Sequence, residues 1–239
     1  MSNLFVFLGR QVDHKVQRVD TAIRRRAVLR NVKVIRGGFM YIQPPFVEQR
    51  PDALHKLIRE YPLGTLVTQR DGGIEANHLP FLLDSTAATK LAAHLPRANP
   101  IWNDLHEREV LIIFHGPNAY VSPSWYASKQ TTGKAVPTWN YVVVHAYGIA
   151  RIIEDKTWLR AHLELMTDTH EAAFEHPWKI SDAPNEYIEK LFNFIVGLEI
   201  SVTRLEGKIK LGQNRSKEDQ ESVLEKLSST GSPLASFAR

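Results

Sequence analysis

The chain has 239 residues, of which 43% are apolar and 23% charged, as is usual for a folded domain with a substantial core. Cysteine is absent, which excludes disulfides, thiolate nucleophiles, zinc–cysteine sites and iron–sulfur clusters. The net charge of +4 is unevenly spread, because residues 1–39 carry a net +7 and the remainder carries −3.

The basic segment 1–39 differs from the rest of the chain. Its arginine cluster, Arg24–Arg26, admits two interpretations, a tail that binds nucleic acid or a membrane surface and a disordered extension. The Gly37-Gly38 pair before the well-patterned sequence from Met40 favours a disordered extension. DNA contact stays open, but the charge of the folded body does not support it. No apolar run approaches the ~18 residues of a membrane helix, so a cytoplasmic protein is expected.

Apolar periodicity predicts a run of strands between helices. Leu54, Leu57, Ile58 and Tyr61 have helical spacing, whereas Pro80 argues for an edge position or a bulge in its strand. The predicted elements are helix 54–61, strands 63–68, 75–84 and 90–95, a short helix 102–105, strands 110–114, 119–122 and 141–153, helices 156–175 and 185–196, strands 198–204 and 208–212, and helix 216–227. Grouped strands and grouped helices favour a mainly β or α+β fold centred on a barrel.

The region between the two strongest strand patterns is the most informative for function. It is dense in aromatic, hydroxyl and lysine side chains, including Ser122, Ser124, Trp125, Tyr126, Lys129, Thr138, Trp139, Asn140 and Tyr141. Rings and hydroxyl groups at strand ends can form a wall for a planar, phosphorylated ligand. The alternative is an aromatic cluster that only supports a long loop.

Three smaller polar clusters are also candidates, each with a structural alternative. Arg97, beside His94 and Asn99, can clamp a phosphate or cap the following helix. Asn77-His78 can donate to a heterocycle or serve turn chemistry. Gln213-Asn214-Arg215 can bind an anion or act as a cap.

Ten histidines suggest a metal site, but their spacing does not support one. His170 and His176 are six residues apart and would not share one face of a helix, and the HExxH motif is missing. The sequence also lacks the phosphate-binding motifs GxGxxG and GxxxxGK[ST], so a nucleotide would have to be held by side chains and strand ends. The GxSxG motif is missing too. Redox chemistry would need a bound cofactor, because these side chains do not supply it.

Several segments resemble the PaiB family of FMN-binding split-barrel proteins, which are described as negative transcriptional regulators. The resemblance rests on YPLGTLVT (61–68), NHLPFLLD (77–84), HLPRANPIW (94–102), IIFHGPNAYVSPSWY (112–126), VPTWNYVVVHAYG (136–148), WKISDAPNEYIEKL (178–191) and GLEISVTRLEGKIKLGQNRS (197–216). It covers residues 40–228, which leaves 1–39 outside the domain and 229–239 as a flexible tail.

The resemblance implies a six-stranded antiparallel split β-barrel, similar to that of pyridoxamine-phosphate oxidases, with flanking helices and a C-terminal helical part. It also implies a homodimer with FMN at the interface. We expect the isoalloxazine to lie near Asn77–Leu79. Trp125, Tyr126 and Trp139 are expected to wall it, from the same chain or from the second subunit. The phosphate is expected to contact Arg97 and the hydroxyls of Thr65 and Thr68. The full set of candidate contacts is Thr65, Thr68, Asn77, His78, Leu79, His94, Arg97, Asn99, Ser124, Trp125, Tyr126, Thr138, Trp139, Asn140 and Gln213.

Three functions remain open at this point. The first is an FMN-binding regulator, and the second is an FMN-dependent oxidoreductase that acts on a small substrate or a nicotinamide donor. The third is a haem-binding relative with His78, His94 or His115 as axial ligand.

Overall fold

The computed structural model describes residues 40–84 and 89–237, and the basic segment 1–39 lies outside this range. The strands are β1 Val47–Glu48, β2 Leu63–Arg70, β3 Gly73–Pro80, β4 Leu82–Leu83, β5 Lys90–Pro96, β6 Glu109–Val121, β7 Thr138–Ile153 and β8 Ile195–Lys210. The α-helices are α1 Pro51–Glu60, α2 Trp102–Leu105, α3 Ala127–Thr132, α4 Lys156–Glu171, α5 Asn185–Leu191 and α6 Lys217–Ser229. Within this range, no helix has the length and apolar character needed to cross a membrane.

The described strands form one antiparallel sheet with the order β3-β2-β6-β7-β8-β5-β4, and β1 pairs with β8. The sheet curves so that the chain after β5 returns to β3, where the Asn99 amide donates to Asn77 Oδ1 at 2.7 Å. The two edges therefore approach each other, and the antiparallel α+β class predicted from the sequence is confirmed.

Two pairs of predicted strands are each a single strand in the structure. The separate strands 110–114 and 119–122 are one strand, β6, which passes Gly116-Pro117 through an irregularity in its pairing with β7. The strands 198–204 and 208–212 are one strand, β8, because Glu206-Gly207 continues the ladder instead of turning. Glycine at 207 leaves room for α1, since a Cβ there would lie 2.2 Å from Leu54.

The main core lies on one face of the sheet. It joins inward residues of the strands, such as Leu66, Ile112 and Ala146, to α1 and to the Val223–Leu227 face of α6. The end of the chain also contributes, because Leu234 is fully buried in this core and Ala235 and Phe237 pack there. The structure therefore differs from the predicted flexible tail up to Phe237, because apolar burial holds this segment in place.

A second, smaller core covers the β5–β8 end of the opposite face. Leu159 of α4 packs with Ile180, Ile188 and Phe192. Gly197 of β8 permits this contact, because a Cβ at this position would lie 2.3 Å from the Trp158 ring. Helices α4 and α5 therefore cover one end of this face.

Candidate functional site

The rest of that opposite face carries the candidate site, which we call the open face. The helices α1, α4, α5 and α6 pack elsewhere. The strand registers place on the open face the side chains of Thr65, Val67, His78, Leu111, Ile113, His115, Tyr120, Trp139, Tyr141, Val143, His145, Tyr147, Arg204, Glu206, Lys208 and Lys210. The alternation of strand residues thus gathers rings, imidazoles and cations on one surface.

Aromatic rings and cations are neighbours on the open face. The rings of Tyr120 and Trp139 meet edge to face with centroids 6.2 Å apart, and Trp139 is 55% exposed. The Arg204 guanidinium lies 4.1 Å from the Tyr147 ring centroid, and Lys208 Nζ lies 5.3 Å from that of Tyr141. Such a surface can stack against a flat ring and attract an anion.

The basic end of the open face concentrates positive charge. Lys210 Nζ donates to Thr138 Oγ1 at 2.7 Å and to the Trp139 carbonyl at 2.8 Å. Burial lowers the pKa of Lys210, and the like charges of Lys208 and Arg215 lower it further. A bound anion would relieve this repulsion, so the arrangement favours a phosphate or carboxylate as ligand.

A histidine–tyrosine–glutamate cluster lies at the centre of the open face. Tyr147 Oη is 3.4 Å from His145 Nδ1 and donates to Glu206 Oε2 at 3.4 Å. Burial is the main cause that lowers the pKa of His145 and raises the pKa of Tyr147. Both groups are therefore held uncharged near neutral pH, where they can donate or accept a hydrogen bond.

Four of the predicted contacts lie on or beside the open face. His78 Nδ1 is 3.0 Å from Thr65 Oγ1 across the β2–β3 pair, and Trp139 is exposed there. Thr138 is tied to this face through Lys210.

Asn77 and Asn99, which belong to two separate predicted clusters, meet away from the open face, at the junction of β3 and the chain after β5. Asn77 and Asn99 bond to each other, and Asn99 Oδ1 accepts from the backbone N–H of Ile101. Arg97 pairs with Glu154 at 2.6 Å and lies over the Trp102 ring. The Arg97 guanidinium is thus engaged by a carboxylate and a ring, and the side chain that bonds to the backbone just before α2 is that of Asn99.

Three further candidates lie away from the open face. Thr68 and Leu79 are only 6% and 8% exposed, and Leu79 belongs to the main core. His94 faces α4, where its Nδ1 is 3.2 Å from His162 Nε2. Thr68 and Leu79 point to the other face of the sheet, since neighbouring strand residues alternate in direction, whereas His94 lies on the same face as the open face but is covered by α4.

The loop after β6 is mainly structural. Ser124 bonds to Ser122, the Trp125 carbonyl accepts from Ser222, and Tyr126 is 4% exposed beneath the Arg215 guanidinium. Trp125 therefore packs against the core, whereas Trp139 meets Tyr120 edge to face on the open face. Within one chain, Trp125 and Tyr126 therefore do not share a surface with Trp139.

Two remaining candidates differ in their environment. Gln213 Nε2 donates to the Ile209 carbonyl, and its Oε1 accepts from the Leu211 N–H, so its side chain closes the turn after β8. Asn140 is 2% exposed, and its Oδ1 is buried with no hydrogen-bond partner.

Sequence reasoning missed the residues His145, Tyr147, Arg204, Glu206 and Lys208. The alternation of residues 141–147 and 204–210 could have placed them on one face, had Glu206-Gly207 not been interpreted as a turn. Within residues 40–84 and 89–237, no three histidine or acidic side chains form a metal-binding group.

Sequence comparison identifies relatives over most of the chain. The family described as "Putative FMN-binding domain" matches residues 40–204. An uncharacterized protein of Emericella nidulans is 33% identical over 230 residues, covering 80% of this chain and 92% of the relative. The "Protease synthase and sporulation protein PAI 2" of Bacillus subtilis is 33% identical over 198 residues, covering 82% of this chain and 93% of the relative.

Two solved structures show the same fold at low sequence identity. The flavocytochrome Anf3 from Azotobacter vinelandii has a TM-score of 0.52 at 13% identity, covering 74% of this chain and 75% of the other. An FAD- and haem-binding protein from Mycobacterium smegmatis has a TM-score of 0.54 at 15% identity, covering 74% of this chain and 78% of the other. The similarity confirms the predicted split-barrel fold.

Proposed function

The chain belongs to the "Putative FMN-binding domain" family, and we propose that it binds FMN on its open face, between two copies of the chain. We further propose that the flavin-bound protein acts as a regulator of transcription. The observation that carries the FMN proposal is the joint presence of stacking rings and clustered cations on this one surface.

The chemistry of the open face fits the parts of FMN. Lys208 and Lys210 would hold the phosphate, because two neighbouring ammonium groups suit a doubly charged anion. Tyr141 and Trp139 offer faces to the isoalloxazine, and the uncharged His145–Tyr147 pair offers hydrogen bonds to its polar edge. Bound FMN would supply a ring that reversibly takes up electrons.

Exposed apolar area supports the second copy. Tyr120 is 49% exposed, Trp139 is 55% exposed, and Ile74 at the same side of β3 is 77% exposed. Large apolar side chains left exposed at both ends of one sheet face favour an interface there. A twin chain placed on the open face would bury these rings and enclose a flavin between the two sheets.

The regulatory part of the proposal rests on the relationship to the Bacillus subtilis protein, whose name links it to protease synthesis and sporulation. The net charge of residues 40–239 is −3, which does not favour DNA binding on charge alone. We therefore propose that flavin binding acts through a partner protein or a metabolite.

Quenching of FMN fluorescence tests the binding proposal. We expect saturable quenching at micromolar FMN with the wild-type chain, and at least tenfold weaker binding in the double variant K208M/K210M. The variant K190M removes a lysine on α5 and serves as the matched control. Unchanged affinity in K208M/K210M, or absence of quenching in the wild type, would contradict the proposal.

The second candidate function is an FMN-dependent oxidoreductase, favoured by the shifted pKa values of His145 and Tyr147 beside the same surface. Anaerobic stopped-flow mixing of the FMN complex with NADH or NADPH separates the two. Bleaching of the flavin absorbance within seconds would support an enzyme, and a stable oxidised spectrum would support the regulator.

A further inference from the structure

A pair of histidines, His162 buried and His94 half-buried, joins α4 to the barrel at a distance from the open face. His94 Nδ1 on β5 lies 3.2 Å from His162 Nε2 on α4, and the rings meet edge to face at 5.4 Å. Trp158, one turn earlier, stacks on the His162 ring with 5.0 Å between centroids and 12° between planes. His162 is 5% exposed. The tryptophan and the histidine thus present a flat, fixed aromatic surface.

This surface borders a cavity of about 380 Å³ between α4 and the β4–β5 hairpin. Its other walls are mainly aliphatic, from Leu82, Leu83, Ala92 and Leu165. The volume falls in the lower part of the range for small-molecule sites. Apolar walls with a single buried polar side chain are typical of a site that selects a small ring with one polar group.

The charges at the rim of the cavity are neutralised. Lys90 Nζ pairs with Glu199 at 3.2 Å, and Arg151 pairs with the same Glu199 oxygen at 3.1 Å. The remaining charged lining residue, Asp84, also has an interaction partner. An ionised ligand would therefore lose its hydration without gaining a free counter-charge, so the site favours an uncharged molecule.

Burial and the neighbouring imidazole keep the histidine pair neutral. The pKa of His162 is lowered to about 4, mainly by burial and then by His94, and burial also lowers the pKa of His94. In a neutral pair, one ring donates to the other, and each ring keeps a second nitrogen for another partner. The pair can therefore offer a ligand a hydrogen bond without offering it a charge.

We propose that the cavity between α4 and β5 binds a small uncharged aromatic molecule with one hydrogen-bonding group, of the phenol or indole class. The ring would lie against Trp158 and the aliphatic wall, and its hydroxyl or N–H would bond to the histidine pair. This site is separate from the proposed flavin site, and its test does not depend on flavin binding.

Titration of the full chain, ¹⁵N-labelled at tryptophan, with phenol and with indole tests the proposal by NMR. The Trp158 indole N–H signal is assigned by its loss in W158F. We expect a saturable shift of this signal at submillimolar phenol or indole, and a much weaker response to benzoate, which has the same ring but a charge.

Two variants test the roles of shape and hydrogen bonding. A161F places a ring on the cavity lining and is expected to weaken phenol binding at least tenfold, whereas A172F, the same change just after α4 and outside the lining, is expected to leave it unchanged. H162F keeps a ring but removes the nitrogens, so it should weaken phenol binding about tenfold and leave toluene binding nearly unchanged. No saturable shift in the wild type, tighter binding of benzoate, or equal binding by A161F would overturn the proposal.

Discussion

At the scale of single residues, burial is the largest cause of the lowered pKa values of three histidines in the barrel and in α4. His94, His145 and His162 all have lowered pKa values with burial as the largest cause. Each of these three side chains is therefore neutral at physiological pH and can serve as a hydrogen-bonding group. Sequence alone could not show this, because the pattern around His162 predicts only a helix face.

The lowered pKa of His162 makes stability depend on pH. Because its folded pKa of about 4 is below the unfolded value of 6.5, the unfolded chain binds the proton more tightly. Its contribution is fully present above pH 6.5, is lost as the pH falls, and is completely lost below pH 4. When the pH falls from 7 to 5, we expect the tighter proton binding by His162 in the unfolded chain to lower the free energy of unfolding by about 2 kcal/mol. Urea denaturation of the wild type and of H162F at both pH values measures this difference, and an equal pH dependence in both proteins would contradict it.

The close approach of α4 to β8 predicts a strong effect of one methyl group. In G197A, the added Cβ meets the Trp158 ring, and the helix must shift. We expect a loss of about 1–3 kcal/mol in the free energy of unfolding. G72A is the matched control, because a Cβ at Gly72 meets no atom within 4 Å. Equal stability of the two variants would show that α4 does not pack as described.

At the scale of elements, local patterns predicted the existence of most strands and helices but not their continuity. β8 continues through Glu206-Gly207 because these two residues pair with His145 and Val144 of β7. A sequence pattern does not reveal such a pairing partner. β6 likewise continues because it pairs with β7 on both sides of the irregularity at 115–118, which in the sequence resembles the end of one strand and the start of another. Because 198–204 and 208–212 were predicted as separate strands, the alternation of residues 204–210 was not recognised. Arg204 and Lys208 were therefore not predicted to lie on the open face.

Asp219 connects two elements that are distant in sequence. Its carboxylate accepts from the backbone N–H and the hydroxyl of Ser128, both at 2.8 Å, and it is 3% exposed. We expect D219A to lower the free energy of unfolding by about 1–3 kcal/mol, because two partly buried donors on α3 lose their acceptor. The neighbouring exposed residue gives the control E218A. Chemical denaturation would contradict this link if both variants were equally stable.

At the scale of the whole molecule, the fold and its class were predictable, whereas the assembly of the site was not. The run of motifs over 61–216 is specific enough to identify the barrel. Among the predicted contacts, Thr65, His78, Thr138 and Trp139 lie on or beside the open face, but Trp125 and Tyr126 support the loop from within. Composition marks polar and aromatic clusters, but only the curvature and register of the sheet determine which of them share a surface.

Native mass spectrometry of the protein with FMN tests most directly whether the open face joins two chains around the flavin. We predict a complex of two chains and two FMN molecules. In I113E, a charge at the centre of the open face should give a single chain without FMN. F174E places the same charge on an exposed ring of the segment after α4 and should leave the complex intact. A single chain that retains FMN, or an I113E complex equal to the wild type, would contradict the account.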